Sequence, residues 1–198
     1  MPSDDNPWTT LASKRAYDGP WIALDDNRVR DAAGQESPYA VVRFKKVGLR
    51  ILPVDNGGFT YLVGQHRYGA GAYTWELPAG GAEPGEDFVE AARRELAEEA
   101  GLAAEHWLGL LDLIPSGSVT DERQIGFVAW GFEHVPREPD PQEVLRVKRL
   151  PFAEALAGVL DGSLRDAGTV AMLSVAQAAA ARGALPAELV RRIAPPGR

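Results

Sequence analysis

Glu95, Glu98 and Glu99 are spaced i, i+3 and i+4, so on a helix their carboxylates share one face. A helix is what the surrounding residues predict. Residues 86–100 contain no Pro or Gly and are rich in Ala, Glu, Leu and Arg, all good helix formers. Glu86 and Asp87 fall in the predicted first turn, where negative charge suits the helix dipole. Gly101 follows the last turn, where a left-handed residue is wanted. Phe88, Ala92 and Leu96 recur every four residues as a narrow apolar stripe. Three crowded carboxylates repel one another, which raises their pKa values or weakens the helix. A hard divalent cation with oxygen ligands relieves that repulsion, and Mg²⁺ suits a site whose shell is completed by phosphates. The alternative is a solvated acidic face with Arg93 and Arg94 as partial counter-charges.

The flanking segments carry further chemistry. Trp75–Gly81 reads as a short strand entering a Gly-rich loop, and glycines let backbone groups approach a metal or phosphate closely. Gln65-His66-Arg67-Tyr68 ends the strand before it and offers Arg67 as a phosphate contact or as a surface cation, with His66 structural or exposed. Pro115–Arg123 is a polar, Gly-containing loop that brings Ser118 and Glu122. The loop 136–143 brings Asp140 and Glu143. Trp8, Tyr17 and Trp21 are able to stack on a nucleobase, although aromatics in short strands also serve packing or dimer interfaces. No G-x-S-x-G elbow, P-loop or GxGxxG is present, and His66, His106 and His134 lack metal-ligand spacing.

Composition sets the outer bounds. A chain of 198 residues accommodates one domain plus a small appendage, and 45% hydrophobic content is ample for a core. No run approaches 18 apolar residues, so no membrane span is expected. The first residues lack the basic and apolar regions of a signal peptide, and the absence of Cys fits a cytoplasmic setting while excluding disulfides and thiolate metal sites. A net charge of −7 argues against non-specific nucleic-acid binding, so a polyanionic substrate has to be drawn in locally by metal and a few arginines.

The positioning elements follow from pattern. Residues 1–38 read as short strands with a hairpin around Asp25–Asn27. Residues 39–44 and 47–54 are strand-like, Asp55-Asn56-Gly57-Gly58 is a hairpin turn signal, and 59–65 is the returning strand. After the helix come strands near 108–114, 124–132 and 143–150, helices at 152–160 and 167–182, and a short helix near 186–193. The implied class is α/β, a mixed sheet with helices packed on it.

Gly80, Glu86, Arg94, Glu95, Leu96, Glu98, Glu99, Gly101 and Leu102 match G-x5-E-x7-R-E-U-x-E-E-x-G-U, with U aliphatic, at every defined position. This segment is identified as a Nudix box, and its flanks resemble the ADP-ribose pyrophosphatase and nucleoside-diphosphate-sugar hydrolase branch. The resemblance implies a Nudix α/β/α sandwich over 39–182, a small N-terminal β appendage over 1–38 exchanged across a homodimer, and a C-terminal tail over 183–198. It implies metal ligation by Glu95, Glu99 and the Ala79 carbonyl, with Glu98 binding or positioning a second ion and acting in catalysis. The metal is Mg²⁺, with Mn²⁺ able to substitute. Gly80, Glu86, Arg94 and Gly101 are structural, Glu86 and Arg94 as an ion pair bracing the loop. Arg67 in QHRY resembles a phosphate-binding Arg. Ser118 and Trp21 are expected at the substrate, and Glu143 or Glu122 as the base that takes a proton from the attacking water. The family's diagnostic proline in the 115–123 loop aligns with Gly117 and is absent. That departure weakens the resemblance to ADP-ribose pyrophosphatases, so ADP-ribose is the favoured substrate within a sugar-nucleotide class that also leaves room for ADP-glucose and GDP-mannose types. The rival readings are a non-catalytic sugar-nucleotide sensor and a Nudix enzyme of another substrate class.

Overall fold

A computed structural model of the chain describes residues 5–138 and 144–194. The elements run β1 (Thr9–Asp18), β2 (Ile22–Arg30), β3 (Glu36–Phe44), β4 (Val47–Pro53), β5 (Phe59–Arg67), β6 (Ala72–Glu76), β7 (Ala79–Ala82), α1 (Phe88–Ala100), β8 (Leu102–Leu113), β9 (Gln124–His134), β10 (Arg146–Pro151), α2 (Phe152–Leu160), α3 (Ala167–Ala181) and α4 (Ala187–Ile193). They fall into two compact units. One holds the chain up to Lys46 with Ser116–Glu122; the other holds Val47–Pro115 and the chain from Arg123 onward.

The first unit is a three-stranded antiparallel sheet, β1-β2-β3. The expected boundary at residue 38 falls inside β3, because Glu36 to Phe44 pair continuously with Arg30 to Ile22. The expected hairpin at Asp25–Asn27 is also corrected, since β2 runs straight through it. The reversals lie at Gly19–Ile22 and at Asp31–Gln35, where the Asp31 carboxylate accepts from the amides of Ala33 and Gln35. Asp25 is instead a mid-strand residue that receives both Arg15 and Arg43. Segment 116–122 joins this unit through a bridge from Val42 to Thr120, and the Asp121 carboxylate accepts from the Phe44 amide at 2.8 Å.

The second unit contains two sheets, β7-β4-β9-β8 and β10-β5-β6. The turn at Asp55–Gly58 forms as expected, with Asp55 capping the amides of Gly57 and Phe59, but it does not close a hairpin. β4 has both edges occupied, by β7 and by β9 running parallel, and β5 has both occupied by β10 and β6. Alternation along the strands then sends side chains to two opposite layers. Leu49, Ile51, Tyr61, Ile125, Phe127 and Ala129 pack with α1, through Ala91, Ala92 and Leu96. Leu52, Val54, Leu62, Val128 and Trp130 pack with the helices α2, α3 and α4. This is the α/β/α arrangement.

The segment expected as a tail contributes to that core. Leu189 and Ile193 of α4 are buried with Leu173 and Ala176 of α3, and the Glu188 carboxylate accepts from the Trp130 indole at 2.8 Å. Among the described residues no helix is long and apolar enough to cross a membrane. Replacing Leu189 with Ala removes a fully buried side chain and should cost about 2–5 kcal/mol. Urea unfolding measures this, and a loss under about 0.5 kcal/mol, the size of a surface substitution, would contradict the docking of α4.

Candidate active site

α1 starts two residues later than its composition suggests. Asp87 takes an extended N-cap conformation and accepts from the amides of Val89 and Glu90, so the helix runs Phe88–Ala100. Glu86 lies outside it, where its carboxylate accepts from the Glu83 amide at 2.8 Å and closes the turn through Gly85. Gly101 ends the helix at φ 68° and ψ 39°, its amide returning to the carbonyls of Ala97 and Leu96. The buried face is wider than the expected stripe. It comprises Ala91, Ala92, Leu96, Glu99 and Ala100, with Phe88 only partly covered.

The Gly-rich segment before the helix is itself a strand. β7 pairs with β4 in the register Ala79↔Arg50, Gly80↔Leu49 and Gly81↔Gly48. α1 lies against it closely enough that a Cβ on Gly80 would collide with the Glu95 carboxyl group. Two helix glutamates use this proximity. Ala79 N–H donates to Glu99 Oε2 at 2.8 Å, and Gly81 N–H donates to Glu95 Oε1 at 3.3 Å. Glu99 is buried. Burial pushes the Glu95 carboxyl above its ordinary range, opposed by Arg94 and the Gly81 amide and reinforced by the neighbouring charge of Glu98. Glu98 sits further out. Arg94 lies among the outer carboxylates, 2.8 Å from Glu95, 3.4 Å from Glu98 and 3.6 Å from Glu86, and also donates to the Gly81 carbonyl.

The donors on this face are all oxygen, the set that suits a hard divalent cation, and the missing Cβ at Gly80 leaves helix carboxylates against strand backbone. Among the described residues no three acidic or histidine side chains converge into a preformed cage. The carboxylates are instead held apart by β7 amides and Arg94, and this set can close on a cation by rotation about side-chain torsions.

A second polar cluster, which the sequence pattern did not reveal, adjoins the site. Arg67 Nε and Nη2 donate to the two oxygens of Glu76 at 3.0 and 2.7 Å. The Thr74 hydroxyl donates to Glu76 Oε1 at 2.6 Å. Arg50, buried within β4, reaches Glu76 Oε2, the Leu77 carbonyl and Asp166. Asp166 is the N-cap of α3, and Thr169 Oγ1 accepts from the Leu77 amide at 3.0 Å. Burial would raise the Glu76 carboxyl, but hydrogen bonds from Arg67 and Thr74 and the charges of Arg67 and Arg50 bring it down to about 2. The Arg67 guanidinium holds its proton more tightly than usual, first through Glu76 and then through the fields of Glu99 and Asp166. The available signal was a lone Arg in the apolar run VGLRILP and an acid directly ahead of Leu77-Pro78.

Trp21, Ser118 and Glu122 belong to the first unit. Trp21 is largely exposed with the Lys46 ammonium over its ring, the Ser118 carbonyl accepts from the Tyr39 hydroxyl at 2.6 Å, and the Glu122 amide donates to Thr120 Oγ1. Glu143 and Asp140 lie outside the described residues. His66 is exposed on β5.

Comparison with known proteins now decides the family. The NUDIX domain description matches residues 45–171, most of the chain. The chain belongs to the Nudix family. It is 34% identical over 179 residues to the ADP-ribose pyrophosphatase of Mycobacterium tuberculosis, covering 86% of each chain. It is 28% identical over 163 residues to the methanol dehydrogenase activator of Bacillus methanolicus, covering 81% of this chain and 88% of that one. Among solved structures it is similar to an ADP compounds hydrolase at a TM-score of 0.81 and 22% identity, covering 92% of this chain and all of the other.

The low pKa of Glu76 makes a pH prediction. A carboxyl whose folded pKa is depressed stabilises the fold fully above its unfolded value and loses that contribution as pH falls through the folded value. The depression to about 2 corresponds to about 3 kcal/mol at neutral pH. The stability gap between wild type and Glu76→Gln should therefore narrow from pH 5 down to about 2 in urea titrations. A gap of constant size across that range would refute the assignment.

Proposed function

We propose that this Nudix chain is a Mg²⁺-dependent pyrophosphohydrolase that cleaves the diphosphate of a nucleoside diphosphate linked to a sugar. ADP-ribose is the favoured substrate, giving AMP and ribose 5-phosphate. The observation that carries this reading is the likeness to an ADP-ribose pyrophosphatase over 86% of both chains, joined to an intact carboxylate face on α1.

Glu95, Glu98, Glu99 and the Ala79 carbonyl would hold the cation, which when bound neutralises the charge of the diphosphate and of its leaving group. The residues of the chain do the rest. β7 amides keep Glu95 and Glu99 oriented. Arg94 balances the acidic face from its outer side. Arg67 contacts a phosphate and orients it. A carboxylate from Glu122 or Glu143 accepts a proton from water. The water oxygen forms a new bond to one phosphorus, the bridging P–O bond breaks, and the second phosphate departs with the bridging oxygen. Ser118 and Trp21 are taken to contact the sugar nucleotide, and the setting is cytoplasmic. Gly117, at the position of the family's proline, favours a second reading in which another sugar nucleotide is preferred. The intact trio of Glu95, Glu98 and Glu99 argues against a sensor without activity.

Release of AMP, other mononucleotides or phosphate from a panel tests the reading. ADP-ribose, ADP-glucose, GDP-mannose, UDP-glucose, NADH, ATP and a dinucleoside polyphosphate should separate with ADP-ribose turned over best, and no turnover of any would favour the sensor. Glu99→Gln keeps an acceptor for the Ala79 amide but removes the charge, so kcat should fall at least about 10²-fold with an unchanged melting temperature. Near-normal activity would sink the ligand assignment.

The first sheet supports a homodimer. β1 pairs only with β2 among the described strands, and Trp8, Tyr17 and Trp21 are exposed. Sedimentation should show a dimer at micromolar concentration, and a monomer alone would count against it.

A further inference from the structure

We propose that Glu76 is a positioning residue for substrate binding, holding the Arg67 guanidinium in one orientation beside the α1 carboxylates. The proposal rests on the reading of this chain as a diphosphate hydrolase and deepens it.

An Arg at the end of a strand carries about 2 kcal/mol of rotamer entropy that a ligand has to overcome. Arg67 does not have that freedom. Its Nε and Nη2 are taken side-on by separate oxygens of one carboxylate, at 3.0 and 2.7 Å. Its side chain is nevertheless 40% exposed, and among the described residues Nη1 has no hydrogen-bond partner. One nitrogen edge of the guanidinium is thus left for a ligand while the other is fixed.

The fixing group is itself immobile. The Glu76 side chain is only 6% exposed, and Thr74 and Arg50 each hold one of its oxygens. Arg50, 7% exposed at its side chain, is held in turn by the Leu77 carbonyl and by Asp166 at the start of α3. The chain Asp166–Arg50–Glu76–Arg67 alternates in sign and sums to zero, so Arg67 is stable in place without a ligand. Glu76 lies three residues before Ala79, whose amide donates to Glu99, and the field of Glu99 reaches the guanidinium. A diphosphate bound on the α1 carboxylate face meets an already oriented donor, and preorganisation of this kind raises affinity by lowering the ordering cost.

The sheet register supplies the geometry. β5 and β6 pair Val63 with Glu76, Gln65 with Thr74 and Arg67 with Ala72. Alternation therefore puts Thr74, Glu76 and Arg67 on one face. Ala72, opposite Arg67, has no side chain long enough to block the return of the guanidinium toward Glu76.

A merely structural Glu76 and a positioning Glu76 differ in one measurable respect, which is coupling to Arg67 in catalysis. Steady-state kinetics on ADP-ribose with Mg²⁺ would compare wild type, Arg67→Ala, Glu76→Gln and the double variant. Glu76→Gln should raise KM about 10–100-fold, the scale of a small misplacement, with kcat within a few-fold of wild type. In the Arg67→Ala background the same substitution should change kcat/KM less than twofold. Thr74→Val, which removes only the hydroxyl on Oε1, should raise KM in the same direction and likewise lose its effect when Arg67 is absent; it decides the matter if Glu76→Gln does not fold. Equal losses in both backgrounds, or an Arg67→Ala variant with wild-type kcat/KM, would overturn the proposal and leave the hydrolase reading standing. Failure of the wild type to turn over ADP-ribose or any other sugar nucleotide would overturn both.

Discussion

The backbone of β7 and the carboxylates of α1 meet without room for a side chain between them, and the rest of the site depends on that closeness. Gly80 is the residue at the point of contact. A Cβ there would displace the Glu95 carboxyl group and cost the Gly81 amide its acceptor. Leu96, Ala92 and Ala91, buried on the same side of the helix, pack with Leu49 and Ile51. The packing that forms this part of the core is therefore also what brings acidic oxygens close to backbone. Ala91, Ala92 and Ala100 keep part of the buried face of α1 small, and Leu96 is its large, fully buried member.

The carboxylates are arranged so that neither burial nor mutual repulsion unfolds them. The Ala79 and Gly81 amides each donate to one carboxylate, and Arg94 ion-pairs with three acids. Glu76 is buried as well yet stays ionised, because two arginines and a hydroxyl surround it. These two acids illustrate opposite outcomes of burial. Desolvation wins at Glu95 and loses at Glu76, and the difference is the number and directness of the cationic donors.

Much of this was readable from residue type and spacing. Glu95, Glu98 and Glu99 on one helix, the terminating Gly101 and the turn at Asp55–Gly58 all rest on local chemistry, which a short window contains. What escaped was long-range. Residues 79–82 have the composition of a loop and become a strand only because β4 offers a free edge. The turn at Asp55 predicts a reversal but not which strands will flank β4, a choice made by β7 and β9. Glu86 reads as a helix residue by composition, and the competing N-cap at Asp87 moves the helix start beyond it. A lone Arg in VGLRILP hints at a buried cation, but its pairing with Glu76, Arg67 and Asp166 is not contained in a short window, since the members come from β5, β6, β4 and the start of α3.

The bond from the Leu77 amide to Thr169 spans 92 residues of sequence, and Arg50 spans 116 to reach Asp166. The box itself occupies one unbroken stretch, but its scaffolding arrives last in chain order. A nascent chain that has emerged only as far as Gly101 carries its three glutamates and both strands β4 and β7, but the Leu77 amide still lacks Thr169 and Arg50 still lacks Asp166. Contacts of this separation are slow to form, because loop closure precedes their reward. The two bonds that brace the segment ahead of the acidic face therefore wait for the first turn of α3.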